Sequence, residues 1–393
     1  MRFTARNEKR KQPLNCGARR SRQCGETARF ELPAAEAFFR NLHALGGNMG
    51  KTDRDIRAVL SIAGSDSSGG AGIQADLKTM TALGVYGMTA VTALTAQNTT
   101  GVFSVMNVTP EFLTAQIDAV FSDIVPAAVK IGMLASPELA ETAAERLKHY
   151  RAEQIVLDPV MVSTSGCGLS GDGTPEVMKC ELCPLCRLIT PNIPEAEVLL
   201  GERIRTGTQE TRAEAEAAAE TVTEAVTAAE DSAGALSVEE AALRLSEKLG
   251  CAVLLKGGHA GAVCGSLHTE TEAGHGEIPM LRESASGKYT EKTGKDAVKS
   301  KKYAEKRGAA VDWLAENGRL TRFEAPWVET ANTHGTGCTL SSAIACGLAK
   351  GKSLEESIRS AKAYLTGALS FGLSFGKGSG PLWHGYVQTV KQK

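Results

Sequence analysis

Short apolar runs, each closed by glycine, proline or a polar residue, alternate along this chain with stretches of helical spacing. That alternation limits the fold more than any other property. The runs are AVLSIAG (58–64), MTAVTALTAQ (88–97), AVKIGML (128–134), IVLDPV (155–160), LITPN (188–192) and CAVLLKGG (251–258). Apolar on both faces and only a few residues long, they read as buried strands. Between them lie GIQADLKTMTALG (72–84), residues 110–123, SPELAETAAERLKHY (136–150), PEAEVLLG after LITPN, TLSSAIACGLAKG (339–351) and LEESIRSAKAYLTGALSFG (354–372). These read as helices. Ser136 is a cap with Pro137 at the first helical position, and Gly84 and Gly351 are stops. Strands and helices in alternation predict an α/β fold, a mainly parallel doubly wound sheet with helices on both faces. Ligands of such sheets sit beyond the carboxyl ends of the strands. Gly64, Gln97, Met133, Asp158, Asn192 and Lys256 all fall just past predicted strand ends.

The chain has 393 residues, a net charge of -1 and 42% hydrophobic residues, enough for one large α/β domain with extensions. Balanced charge excludes bulk binding to nucleic acid or acidic membranes. No apolar stretch reaches the roughly 18 residues of a membrane span. The ten cysteines form no disulfide framework and no secretory signal is visible, which places reduced thiols in a cytoplasm. Residues 1–55 are rich in Arg and Lys without a period. Glu8, Glu26 and Glu31 weaken a transit-peptide reading, leaving a disordered extension or translated upstream sequence with Met49 as the start. The domain proper then spans 56–390. Two stretches read as solvated surface insertions, 208–247 (an Ala/Glu-rich helical segment that runs into SVEEAALRLSEKLG) and 270–318 (Lys/Glu/Gly-rich), the second with a helix in KDAVKSKKYAEKRGAAVDWLAENG.

Three groups of residues carry chemistry. GSDSSGGAGIQADLKT (64–79) is a Gly-rich turn between strand and helix, suited to bringing backbone amides to an anion. It is not a Walker A loop, because Gly69 is followed by Gly70 rather than Lys. In HGTGCTLSSAIACGLAKG (334–351), Gly335, Thr336 and Gly337 precede a helix, and successive amides at a helix start form an anion hole. Cys338 lies on the first turn, where the dipole is expected to lower a thiol's pKa and equip it to take a proton from an attacking alcohol. The plainer reading is a glycine turn with a buried cysteine. The third group is Asp158 and Glu195, with Asn192 three residues before Glu195. Phosphoryl transfer needs Mg²⁺ on the nucleotide, held by few carboxylates and several waters, whereas Glu195 could equally complement a helix dipole. Lys256 could reach phosphate oxygens or be a solvated strand-end lysine. Cys180, Cys183 and Cys186 form C-x-x-C-x-x-C, but a cluster needs a fourth ligand and Pro184 interrupts the run, so the spacing favours structural thiols.

Together AGSDSSGGAGIQADLKT, ALTAQNT, KIGML, LDPVM, LITPNIPEAE, LLKGGH and HGTGCT, with GKGSGPLWH (376–384), resemble the hydroxymethylpyrimidine/phosphomethylpyrimidine kinases of thiamin synthesis in content, order and spacing, from about Ile56 to His384. The resemblance implies a ribokinase-like three-layer α/β/α fold. It implies two successive phosphorylations, of the hydroxymethylpyrimidine and then of its monophosphate, with ATP as co-substrate, Mg²⁺ as cofactor and a homodimer as the assembly. By the same likeness Gln97 hydrogen-bonds the aminopyrimidine, Gly64, Met133 and Val160 line its pocket and Asp76 sits near the ring. Gly335–Gly337 form the anion hole and Cys338 is the base, where most other ribokinase-like sugar kinases carry Asp. Asn192 and Glu195 match the N-x-x-E motif that orders Mg²⁺ and phosphate, with Asp158 beside them and Lys256 on the phosphates. Some enzymes with this motif set phosphorylate pyridoxal instead. The first 55 residues have no counterpart in the family, the helical region before Cys251 is longer than usual, and 270–318 replaces what looks like a short hairpin connection.

Overall fold

The computed structural model describes residues 56–162, 168–205, 235–257 and 309–391. Ile56–Lys393 form one compact unit, and the expected extension, Met1–Asp55, lies outside the described residues. The strands are β1 (Ala58–Asp66), β2 (Tyr86–Asn98), β3 (Gly101–Asn107), β4 (Ala128–Ile131), β5 (Ile155–Leu157), β6 (Leu188–Ile189), β7 (Ala252–Lys256), β8 (Ala309–Glu316) and β9 (Arg319–Pro326). They form a single sheet in the order β3-β2-β1-β4-β5-β6-β7-β8-β9. The central ladder from β2 to β7 is parallel, while β3, β8 and β9 add antiparallel margins. Strands β4, β5 and β6 are buried along their whole length, as strands covered on both faces must be.

The helices are α1 (Gly72–Ala82), α2 (Pro110–Phe121), α3 (Pro137–His149), α4 (Thr174–Val177), α5 (Ile193–Leu200), α6 (Val238–Leu249), α7 (Thr336–Ala349), α8 (Leu354–Ser370) and α9 (Tyr386–Lys391). On one face Leu113, Ile117, Leu139, Leu147, Leu199 and Leu245 pack on Ile62, Ile131 and Leu157. On the other, Met80, Leu340, Ile344 and Ile358 pack on Val59, Val156 and Leu254. The three-layer α/β/α architecture is therefore as the alternation predicts.

Two expectations about the insertions are overturned. Part of 208–247 is α6, closed by a Ser237/Glu240 capping box and burying Ala241, Ala242, Leu245 and Leu249 against the sheet. It is a layer of the fold, because its apolar stripe covers β7 and β8. Residues 206–234 lie outside the described set. In 270–318 the helix expected through the last residues is instead strand β8, with Leu254 opposite Leu314 and Leu314 opposite Thr321. The signal was present in Asn317-Gly318, both at positive φ (50° and 75°), a pair that makes a tight turn between twisted strands. Residues 258–308 are outside the described set.

Candidate active site

The parallel strands deliver their last residues to one edge, where a cavity of about 1220 Å³ opens between the β1–α1 loop, the ends of β4, β5 and β7, the β9–α7 segment and α8. Gly64, Gln97, Met133, Val160, Asp158, Asn192, Glu195, Lys256, Gly335, Thr336, Gly337 and Cys338 all line it. Asp76 does not: it is fully buried on α1 beneath the cavity, holding Lys130 Nζ at 3.0 Å and accepting from Ser61 Oγ at 2.5 Å and Ser342 Oγ at 2.6 Å.

The Gly-rich loop does bind an anion, but its own. One oxygen of Asp66 accepts from the Ser68 amide and hydroxyl, each at 2.8 Å. The other accepts from the Gly70 and Ala71 amides at 3.0 and 2.8 Å and lies 2.8 Å from His334 Nε2. The amides expected to meet a phosphate are therefore spent inside the loop. Burial works against the Asp66 charge, but the bonds from His334, Ser68 and Ala71 outweigh it and hold the carboxyl at about 2. The same contact ties the loop to the HGTGC segment. A Cβ on Gly70 would come within 2.3 Å of the His334 ring, and one on Gly335, at φ 84°, within 2.0 Å of Gly70 O. His334 Nε2 also lies 3.3 Å from the Gln97 amide, so Gln97 stands beside this junction.

Helix α7 starts at this point without a side-chain cap. Among helices of eight residues or more, α2, α3, α5, α6 and α8 are capped by Thr109, Ser136, Asn192, Ser237 and Ser353. Among the described residues α1 and α7 lack such a cap, and both begin at the cavity. The Thr336 amide bonds Thr333 O at 3.3 Å and the Thr339 amide bonds Gly335 O at 2.9 Å. This leaves the amides of Gly337 and Cys338 as the first-turn donors at the cavity. The turn is braced from the C-terminal signature, since His384 Nε2 sits 2.9 Å from Thr339 Oγ1 and the His334 amide bonds Gly380 O at 3.2 Å.

One expectation about Cys338 fails. Burial pushes its thiol up to about 11, opposed by the Lys130 ammonium and the Gly72 amide and aided by the charges of Asp76 and Asp158. Desolvation of a thiolate outweighs a helix dipole of roughly half a charge in this setting.

Beside the turn, Asp158 Oδ1 accepts from Lys256 Nζ at 2.9 Å and Thr190 Oγ1 at 3.0 Å. Burial resists its ionisation, but Lys256 and Lys130 keep its carboxyl below the usual range. Asn192 and Glu195 close a reciprocal capping box at 2.8 Å each way, so the dipole reading of Glu195 has structural content. Glu195 is nevertheless raised to about 7, chiefly by burial, with Lys256 opposing and Asp158 adding to it. Two carboxylates flanking Lys256 at the cavity wall form a hard-oxygen set of the kind Mg²⁺ uses when most of its ligands are phosphates and water. Sequence reasoning missed Asp66, His334 and Lys130. The last left a visible signal, a lysine inside the apolar run AVKIGML.

The C-x-x-C-x-x-C run gains a fourth cysteine from tertiary structure. Cys251 bonds the Cys183 thiol, with Cys186 and Cys180 within electrostatic reach, and this contact with burial pushes Cys183 well up. All are free thiols, and no group of three His, Cys, Asp or Glu side chains among the described residues could hold a metal ion.

A three-layer α/β/α unit with its cavity at the strand ends and an uncapped, half-buried helix start facing an acid–lysine cluster is a ribokinase-like small-molecule kinase. The family described as phosphomethylpyrimidine kinase matches residues 66–234 and 224–383. A hydroxymethylpyrimidine/phosphomethylpyrimidine kinase of Salmonella typhimurium is 38% identical over 83% of this chain and 96% of its own length. The thiamine biosynthesis bifunctional protein ThiED of Geobacter sulfurreducens is 40% identical over 83% of this chain, which spans about half (52%) of that longer protein. In solved structures, an ADP complex of Bacillus subtilis pyridoxal kinase superposes with a TM-score of 0.59 at 28% identity, covering 85% of this chain and 99% of that one. The chain belongs to the phosphomethylpyrimidine kinase family and is a phosphotransferase.

Proposed function

We propose that the protein transfers the γ-phosphoryl group of ATP to the hydroxymethyl oxygen of 4-amino-5-hydroxymethyl-2-methylpyrimidine, and then phosphorylates the monophosphate to the diphosphate, in thiamin synthesis. The observation that carries this reading is the shared cavity: Cys338 on an uncapped helix start, Gln97 on one side, and the Asp158–Lys256–Glu195 cluster on the other. Gln97, with Gly64, Met133 and Val160, holds the ring so that its hydroxymethyl group meets Cys338. The thiolate takes the hydroxyl proton as the oxygen attacks phosphorus, and the proton ends on Sγ. The Gly337 and Cys338 amides receive the charge that develops on the phosphoryl oxygens, and Thr336 and Gly335 shape the turn. Lys256 neutralises phosphate charge. Glu195 and Asp158, with Asn192 bracing Glu195, would hold Mg²⁺ indirectly. When bound, that ion supplies charge neutralisation on the nucleotide and orients it.

The test is an ATP-coupled assay with hydroxymethylpyrimidine, its monophosphate and pyridoxal on wild type and Cys338→Ala. The expected outcome is turnover of both pyrimidines above pyridoxal, and a fall in kcat of roughly 10²-fold or more for Cys338→Ala. Unchanged kcat would remove the base role while leaving the family untouched. The pyridoxal reading is less favoured, because the solved pyridoxal kinase is the more distant of the relatives compared.

The finer assignments follow from the same reading. Free thiols, among them the exposed Cys180, suit a cytoplasmic enzyme. No helix among the described residues is long and apolar enough to cross a membrane, and the balanced charge offers nucleic acid no footprint. A homodimer is supported by the exposed apolar surface of the β2–β3 hairpin, where Phe103 is 68% and Met106 61% exposed beside Leu94 and Val105.

A further inference from the structure

Lys130 is the largest fully buried side chain among the described residues, a charged one in the middle of an otherwise apolar strand. Burying an ammonium is costly, and a Met or Leu of similar volume would commonly be the more stable choice. Its surroundings are built around the charge. On the neighbouring strand Ser61 stands beside Lys130 in register. Ser61 and Ser342 hold the Asp76 carboxylate whose Oδ2 accepts from Nζ at 3.0 Å. Gly132 leaves the ammonium room, since a Cβ there would come within 2.7 Å of Nζ. Ser342 follows Cys338 by four residues, so both lie on the same face of α7. The helix face that grips Asp76 therefore also presents Cys338 to Lys130. Both Lys130 and Cys338 line the cavity.

We propose that Lys130 is a positioning residue for the phosphoryl-transfer step: its buried ammonium is the counter-ion of the Cys338 thiolate, held in place by Asp76, Ser61 and Ser342. The inference rests on the base role proposed for Cys338. The thiol stands near 11 with the Lys130 ammonium already pulling against the burial that raises it, so without this fixed cation the thiolate would be scarcer still. The Gly72 amide at the start of α1 bonds the sulfur, and Lys130 from β4, Asp76 from α1 and Asp158 after β5 act on it electrostatically. Lys130 and the amide favour the thiolate; the two carboxylates oppose it, and Asp158 is itself paired with Lys256. During transfer the O–H bond of the hydroxymethyl group breaks and an S–H bond forms at Cys338. The substrate oxygen bonds the γ-phosphorus, and the bond from that phosphorus to the leaving oxygen breaks to release ADP. Lys130 keeps its protons throughout.

The experiment measures the rate of Cys338 alkylation by iodoacetamide against pH, read by mass spectrometry of the Cys338 peptide in the full-length protein, together with kcat and KM for hydroxymethylpyrimidine. Lys130→Met is expected to move the alkylation midpoint up by about one pH unit or more, the scale of one nearby charge. Its kcat should fall at least about tenfold with KM little changed, since each unit removes tenfold of the thiolate. Lys130→Arg is expected to keep the midpoint near wild type because it keeps the charge, whereas a purely structural role predicts that the two substitutions move it alike or not at all. The inference is overturned if folded Lys130→Met leaves the midpoint in place or lowers it. Should Lys130→Met fail to fold, Lys130→Gln is read in the same way. If Cys338→Ala retains full kcat, the base reading falls, while a raised midpoint in the Lys130 variant would still establish the Lys130–Cys338 charge pair.

Discussion

At the scale of single residues, the site is governed by what burial does to charge. Cys338 was expected to carry a lowered pKa from its place on a helix, a property that sequence position alone suggests. The structure reverses the sign because the thiol is taken out of water, and desolvation acts over the whole ion whereas the dipole contributes a fraction of a charge. His384 shows the same effect on a base. Burial, helped by Lys78, lowers its pKa from 6.5 to about 4. Between those values the unfolded chain binds the proton and the folded one does not, so stability falls as pH falls from 6.5 to 4. The loss is about 3 kcal/mol at full effect, taking about 1.36 kcal/mol per pH unit. Thermal melts of wild type and His384→Asn at pH 7 and pH 5 should show a smaller acid-induced drop in Tm for the variant. Equal drops would place the acid sensitivity elsewhere.

At the scale of elements, local chemistry explains the helices with caps. Ser136-Pro137, the Asn192/Glu195 box and the Ser353/Glu356 box each satisfy first-turn amides within a few residues, so their starts were legible in the sequence. The errors fell where a segment looked polar in composition but was recruited by a sheet. Leu245 on α6 is fully buried, so Leu245→Ala should lower unfolding free energy by about 2–5 kcal/mol in urea titrations, the range for a core leucine. A loss of under about 0.5 kcal/mol, typical of surface sites, would restore the insertion reading. Strand β8 makes the complementary case. Deleting 270–318 would remove the strand between β7 and β9, and the expected outcome is loss of the cooperative melt rather than a trimmed active enzyme.

At the scale of the whole molecule, the antiparallel margins set what the domain can meet. The β2–β3 hairpin turns apolar side chains outward, and β3 is the last strand on that side of the sheet. Phe103→Glu with Met106→Glu should shift sedimentation toward a monomer if the homodimer uses this hairpin, while a wild type that sediments as a monomer would remove the proposal. The C-terminal signature also acts at this scale. Gly380 and His384 are remote in sequence from the loop at Gly70, yet both groups converge on the start of α7, through His334 and Thr339.

The sequence by itself determined the layered α/β architecture, because strand and helix periods are local, and it named six cavity residues (Gly64, Gln97, Met133, Asp158, Asn192 and Lys256), because ligands collect at strand ends, and four more, Gly335–Cys338, because glycines before a helix mark its open start. Family membership was legible for the same reason, in short motifs of fixed order. Tertiary structure alone decided which groups face one another. It spent the loop amides on Asp66, moved Asp76 from the ring to beneath Lys130, and brought Cys251 to Cys183. It also reversed the expected shift of Cys338. Each of these depends on distance and solvent exclusion between residues far apart in the chain, and neither quantity has a local signature.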